Sequence, residues 1–293
     1  MKTPKRLLPL VEDGLIDEVL RPLMSGKEAA VYVVRCGDQV RCAKVYKEAN
    51  QRSFRQAVEY REGRKTRNSR DARAMARGSR HGRKEQEDAW QNAEVGALFR
   101  LAQAGVRVPQ PYDYQDGVLL MELIEDGDGD VAPRLNDVDL LPEDAREFHA
   151  FMISEIVKML CAGLVHGDLS EFNVLVDGQG PVIIDLPQAV DAAGNNHAYR
   201  LFERDVQNMA AYFGQYAPEL RFTRYAPEIW ALYEQGKLTP ESRLSGEFAD
   251  PDDPADVAAV MREIKAALAD EARREAARNP NADDEEPSPP WMK

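Results

Sequence analysis

The sequence predicts an α+β chain in which a small sheet lobe is joined to a mainly helical lobe. Three observations predict it. Two β-rich runs, 29–35 and 40–46, meet across Gly37-Asp38, which suits a tight hairpin. One helical pattern and a short apolar run follow, and beyond Phe202 the pattern is predominantly helical, broken by Pro218, Pro227 and Pro240. The third observation is bulk. The chain has 293 residues, 43% hydrophobic and 30% charged, with mean hydropathy −0.53, enough apolar side chains for a sizeable core. That composition excludes a wholly disordered chain.

Each element has its own signal. Trp90, Ala93, Ala97, Leu98 and Leu101 recur at helical spacing, and Gly105 ends that helix. The run VLLMELI over 118–124 is almost wholly apolar and short, the mark of a buried strand. Phe148, Met152, Ile153, Ile156, Val157 and Leu160 define a second amphipathic helix, stopped by Gly163. The runs 174–176 and 182–184 form a further hairpin across Asp177-Gly178-Gln179-Gly180. No apolar run approaches the ~18–20 residues of a membrane helix. The basic start, 1–9, is not followed by the hydrophobic stretch of a secretion signal. Cys36, Cys42 and Cys161 cannot all pair and form no CxxC cluster, so the expected home is a reducing cytoplasm, away from membranes.

The charge is unevenly spread. Over 61–84 there are ten Lys/Arg against Glu62 and Asp71, a local +8, which leaves −21 on the rest of a chain of −13. Too few apolar residues lie there to bury, so a charged insertion is expected, either a solvated loop or a docking element for phosphates or an acidic partner. The last stretch ends in NPNADDEEPSPPWMK, whose prolines and acidic run read as a tail that need not fold.

The chemistry is concentrated in His166-Gly167-Asp168-Leu169-Ser170-Glu171-Phe172-Asn173. A carboxylate followed five positions later by an amide, then by an apolar strand, is the spacing phosphotransferases use. The carboxylate orients an attacking hydroxyl and takes its proton, while the amide oxygen and a later Asp hold Mg²⁺. That later Asp is expected after a short hairpin, and Asp185 in Ile183-Ile184-Asp185 stands there, twelve residues after Asn173.

The nucleotide half is sought upstream. Met24-Ser25-Gly26-Lys27-Glu28-Ala29 offers small residues ahead of a strand, with backbone N–H groups able to face phosphate. Lys44 lies inside the apolar run Cys42-Ala43-Lys44-Val45-Tyr46, where an unpaired ammonium is expensive. Glu94, on the helix that Ala93, Ala97 and Leu101 set against the sheet, is the expected counter-charge. The alternative is a surface lysine on an edge strand.

Taken together, SGKEAAVY, AKVYK, the Trp90…Glu94 helix, MELI, HGDLSEFNVLV and IIDLPQAV resemble the RIO family of atypical serine/threonine protein kinases, closest to its type 1 branch. The resemblance covers roughly 20–213. It implies a trimmed, bilobal protein-kinase-like fold without the usual activation segment. The implied organisation is an N-terminal extension over 1–19, an N-lobe over 20–121 carrying the insertion 61–84, a hinge over 122–124, a C-lobe over 125–268 and a tail over 269–293. ATP and Mg²⁺ are the implied cofactors. Ser25 and Lys27 of the turn would line the phosphates; Lys44 would contact them and pair with Glu94; Glu122 and Ile124 would hold adenine through backbone groups. Asp168 would be the catalytic base, Asn173 and Asp185 the metal ligands, and Asp185 also a candidate phospho-acceptor.

The family often has Thr or Ser where Met24 stands. The short stretch ahead of the turn leaves no room for the winged helix of the type 2 branch. Asp205, on the helix after the metal loop, either braces the catalytic loop or faces solvent. Through 61–84 a ribosome-related or nucleic-acid contact is a further expectation; the protein substrate stays open. Two other functions remain. One is an ATP-driven assembly factor switching through a phospho-aspartate. The other is a small-molecule phosphotransferase, against which Ser170-Glu171 (in place of the usual His-Pro) and IDLPQAV both argue.

Overall fold

A computed structural model describes residues 3–26, 28–47 and 80–248, with side chains from 91 onward in the last stretch. Lys27, most of the basic insertion and the tail lie outside the described residues.

A five-stranded antiparallel sheet forms the first half, in the order β1-β2-β3-β5-β4. Its strands are β1 (Glu18–Ser25), β2 (Ala29–Cys36), β3 (Gln39–Tyr46), β4 (Pro111–Gln115) and β5 (Val118–Glu122). The expected β2–β3 hairpin has a two-residue turn, with Gly37 at φ +60° in the first position. A residue without a Cβ suits that position, and the Asp17 carboxylate accepts the Gly37 N–H at 2.6 Å. The β4–β5 turn is Asp116-Gly117, both at positive φ, the geometry of a type I′ hairpin.

The period of two along β3 sorts its side chains. Ala43 and Val45 enter one apolar cluster with Leu7, Leu10, Ile16, Val34, Val118 and Leu120, while Lys44 and Tyr46 take the opposite face. Leu7 and Leu10 come from α1 (Leu8–Glu12) and its approach, and together with Ile16 they cover the outer face of the sheet. The opposite face meets α2 (Arg80–Gln103), which begins inside the basic segment and makes its last five residues helical. Val95, Leu98 and Leu101 of α2 join the main core with Tyr46 and Leu119.

Beyond the sheet the chain is helical, as expected. α3 (Pro142–Cys161) starts with Pro142 in its first turn and the Asp144 carboxylate on the Leu141 N–H. It buries Phe148, Met152, Ile153, Ile156, Val157 and Leu160, the face the sequence marks. α4 (Ala198–Phe213) and α5 (Tyr225–Glu234) pack on it. Between α3 and α4 lie two small strand pairs: β6 (Leu164–Val165) with β9 (Val190–Asp191), and β7 (Val174–Asp177) with β8 (Gly180–Ile183). These short ladders hold the loops that carry the chemistry. No helix among the described residues is long and apolar enough to cross a membrane.

Candidate active site

Lys44 projects from β3 toward α2 and meets Glu94. Its Nζ lies 2.6 Å from Glu94 Oε1 and 3.2 Å from Asp185 Oδ1, so one ammonium joins the sheet, the helix and the loop after β8. The Lys44 and Glu94 side chains are only 15% and 5% exposed, against 49% for Asp185. Burial by itself lowers the lysine pKa, yet the two carboxylates outweigh it and hold the ammonium above its ordinary range. Lys44 is charged, paired and aimed at the cleft; it is not the surface lysine of an edge strand. The Tyr46 ring lies 5.5 Å from the same Nζ.

The loop between β6 and β7 carries His166, Gly167, Asp168 and Asn173. His166 is buried and its Nε2 lies 3.2 Å from the Ile184 carbonyl, while its Nδ1 accepts the Asp168 N–H at 3.3 Å. Those two partners assign a neutral ring protonated at Nε2. Burial lowers its pKa in agreement. Gly167 takes φ +82°, a backbone that a side chain would strain.

α4 fixes the same loop from below. Asp205 is 2% exposed and accepts the Gly167 N–H at 2.7 Å and the Leu169 N–H at 2.9 Å. Arg204 donates to the Gly167 carbonyl, and Asn208 Nδ2 to the Leu169 carbonyl at 2.9 Å. Both peptide groups of Gly167 and Leu169 are thus tied to three side chains of one helix. Burial raises Asp205 to about 7, against the pull of its two N–H donors and Arg204. Of the two positions left open for Asp205, the bracing one is correct.

Asp168 itself stays half exposed, at 51% of its side chain. Gln188 Nε2 donates to its Oδ2 at 3.0 Å, and Arg204 lies 3.9 Å from its Oδ1. Asn173 Nδ2 donates to the Asp168 carbonyl at 2.7 Å. That bond fixes the amide and leaves Oδ1 as its remaining acceptor. Asp185 stands at φ +66°, a left-handed conformation that Asp tolerates better than most side chains.

The donor set suits a hard divalent cation: one carboxylate and one oriented amide oxygen, both oxygen ligands. No three His, Cys, Asp or Glu among the described residues converge into a metal cage. A Mg²⁺ ion bound here would complete its octahedron with phosphate oxygens and water, as that ion prefers.

The turn expected to face phosphate lies between β1 and β2. Lys47 Nζ donates to Ser25 Oγ at 3.0 Å and to the Gly26 carbonyl at 2.6 Å, and Gly26 N–H donates to the Ala29 carbonyl at 2.9 Å. At the junction after β5, Glu122 N–H donates to Gln110 O at 2.8 Å and the Ile124 carbonyl accepts from Ala132 N–H at 3.0 Å. Those bonds use the nitrogen of Glu122 and the oxygen of Ile124.

Four residues at this site were not singled out in the sequence: Gln188, Arg204, Asn208 and Lys47. Gln188 and Lys47 fall inside the quoted runs IIDLPQAV and AKVYK, but a polar residue in a motif carries no sign of its partner. Asn208 had a usable signal. It lies three residues after Asp205 on α4, one turn further along the same face, where a side chain beside a loop-bracing carboxylate can reach that loop as well.

The RIO domain family matches residues 30–225. The RIO-type serine/threonine-protein kinase Rio1 of Haloferax volcanii is 39% identical over 207 residues, covering 70% of this chain and 66% of its own length. The protein of the same name from Methanocaldococcus jannaschii is 31% identical over 213 residues, with shares of 72% and 68%. The human serine/threonine-protein kinase RIO1 is 30% identical over 244 residues, 82% of this chain but 40% of that longer protein. The matched region contains the sheet from β2 onward, the Lys44–Glu94 pair, the Asp168 loop and α4, so the chain belongs to the RIO family, as a Rio1-type member.

Proposed function

We propose that the chain is an ATP-dependent serine/threonine protein kinase of RIO type, transferring the γ-phosphate to a protein hydroxyl with Mg²⁺ and capable of autophosphorylation. The observation that carries this reading is the convergence on Lys44. One half-buried ammonium joins Glu94 and Asp185, and the loop holding Asp168 and Asn173 is braced next to the strand that leads to Asp185. Lys44 neutralises the α- and β-phosphates, with Glu94 setting its position. Ser25 lines the phosphates from the turn. The Glu122 carbonyl and the Ile124 N–H meet the adenine edge.

Asp168 orients the acceptor hydroxyl. The hydroxyl oxygen of the acceptor forms the new bond to the γ-phosphorus, the bond from that phosphorus to the β,γ-bridging oxygen breaks and ADP leaves, and the hydroxyl proton passes to the Asp168 carboxylate. Asp185 and Asn173 would hold Mg²⁺, which would supply charge neutralisation on the phosphates.

The names of the relatives support serine and threonine as acceptors. The test is the chemistry of the label after incubation with γ-labelled ATP. Phosphate on Ser or Thr survives acid and hydroxylamine. Label that hydroxylamine removes, and that disappears in Asp185→Ala, would instead assign an acyl phosphate and the assembly-ATPase reading.

A further inference from the structure

Asp168 has a task that requires a fixed carboxylate, yet half of its side chain is open to solvent. Backbone bracing by Asp205, Arg204 and Asn208 holds the loop and leaves the side chain free to turn about its own torsions. Among the described residues, two groups reach the carboxylate. Arg204 stands 3.9 Å from Oδ1, too far for a hydrogen bond, and its guanidinium is engaged with the Gly167 carbonyl. Gln188 Nε2 donates to Oδ2 at 3.0 Å, which is a directional bond to an ionised acceptor.

The loop that presents Gln188 is rigid. Leu186, Ala189 and Val190 are buried in the main core, Pro187 fixes its own φ, and the Ala189 N–H closes on the Leu186 carbonyl at 3.1 Å. Gln188 follows Asp185 by three residues on this loop. The same short segment therefore carries a carboxylate that meets Lys44 and an amide that meets Asp168.

We infer that Gln188 is a positioning residue for phosphoryl transfer: its amide sets the rotamer of Asp168 and ties that rotamer to the loop bearing Asp185. The inference rests on the kinase reading above. A carboxylate offers about four acceptor sites, so the amide on Oδ2 need not leave when the substrate hydroxyl arrives. Gln188 touches no reacting atom. Its effect runs through Asp168 and belongs to the rate of the chemical step, leaving nucleotide affinity untouched.

The experiment is a double-mutant cycle on the full chain, read as single-turnover transfer from γ-labelled ATP at saturating Mg²⁺. Gln188→Ala is expected to slow transfer by about 10–100-fold, the usual weight of a hydrogen bond to a charged group, with ATP affinity unchanged. In an Asp168→Ala background the same substitution is expected to cost nothing further, since the carboxylate it positions is gone. Gln188→Met, which keeps the shape and loses the donor, should repeat the result and serves where Gln188→Ala lowers the melting temperature. Equal losses in both backgrounds, a loss confined to ATP affinity, or no loss at all would overturn the inference. A wild-type chain that transfers no phosphate would refute the kinase reading itself, which separates the two failures.

Discussion

Lys44 shows how one residue type at one register position organises a site. An ammonium in β3 on the face opposite Ala43 and Val45 has to find a carboxylate or lose its charge, and it finds two. Lys44→Ala is expected to abolish transfer, because it removes the strand-borne cation at the phosphates and leaves Glu94 buried without it. Glu94→Ala is expected to injure transfer less, since Asp185 still holds the lysine. Nucleotide titration and transfer rates of the two variants check the order. Wild-type transfer with tight Mg·ATP binding in Lys44→Ala would show that this sheet does not bind the nucleotide.

The elements account for what was legible and what was not. The pairing of Lys44 with Glu94 could be read because both sit in long periodic segments, where a buried charge demands a partner. Strands β1 and β4 were not read. β1 has the exposed, irregular pattern of an edge, with Arg21 and Pro22 inside it and two register shifts against β2. β4 lies at the other edge, is five residues long and mostly half-exposed, so it lacks an apolar run; the Asp116-Gly117 turn was its one strong signal. α1 was missed because five residues give too short a window for helical periodicity. Its importance lies in packing. Leu10 is fully buried against the outer sheet face, and Leu10→Ala should cost about 2–5 kcal/mol in urea unfolding, although no part of it approaches the site. A loss under 1 kcal/mol would mean that α1 does not pack on the sheet as described.

The junction of α3, α4 and α5 sets a pH dependence of its own. His149 of α3 is 2% exposed, between the rings of Phe213 at 5.9 Å and Tyr225 at 5.8 Å, and its Nε2 has no partner among the described residues. Burial lowers it to about 4 from 6.5, so the unfolded chain takes up the proton first. Its contribution is intact above pH 6.5 and is lost as the pH falls toward 4, up to about 3 kcal/mol. His149→Phe should flatten the fall in unfolding free energy over that range. An unchanged slope would show that the imidazole does not remain neutral in the fold.

For the whole molecule, function depends on bringing together groups far apart in sequence, and that is where sequence reading stops. HGD, the Asn five residues after the Asp, and the later Asp after a hairpin name the chemistry through spacing alone. The restraints on that chemistry come from elsewhere: Asp205 and Asn208 from α4, Gln188 from the loop beyond β8. No periodicity reports which backbone N–H a buried carboxylate will meet. The sheet supplies Lys44, the helix Glu94, and the small strand pairs supply Asp168, Asn173 and Asp185, so the proposed reaction needs both halves of the fold in register.

The most direct measurement is single-turnover phosphate transfer by wild type and Asp168→Ala, each saturated with Mg·ATP and each with its ATP affinity determined. A general base of this kind contributes about 10²–10⁴-fold. Transfer in Asp168→Ala should therefore fall by that factor while ATP affinity stays at the wild-type value. Equal rates in the two proteins would contradict the assignment of Asp168 as the group that receives the hydroxyl proton.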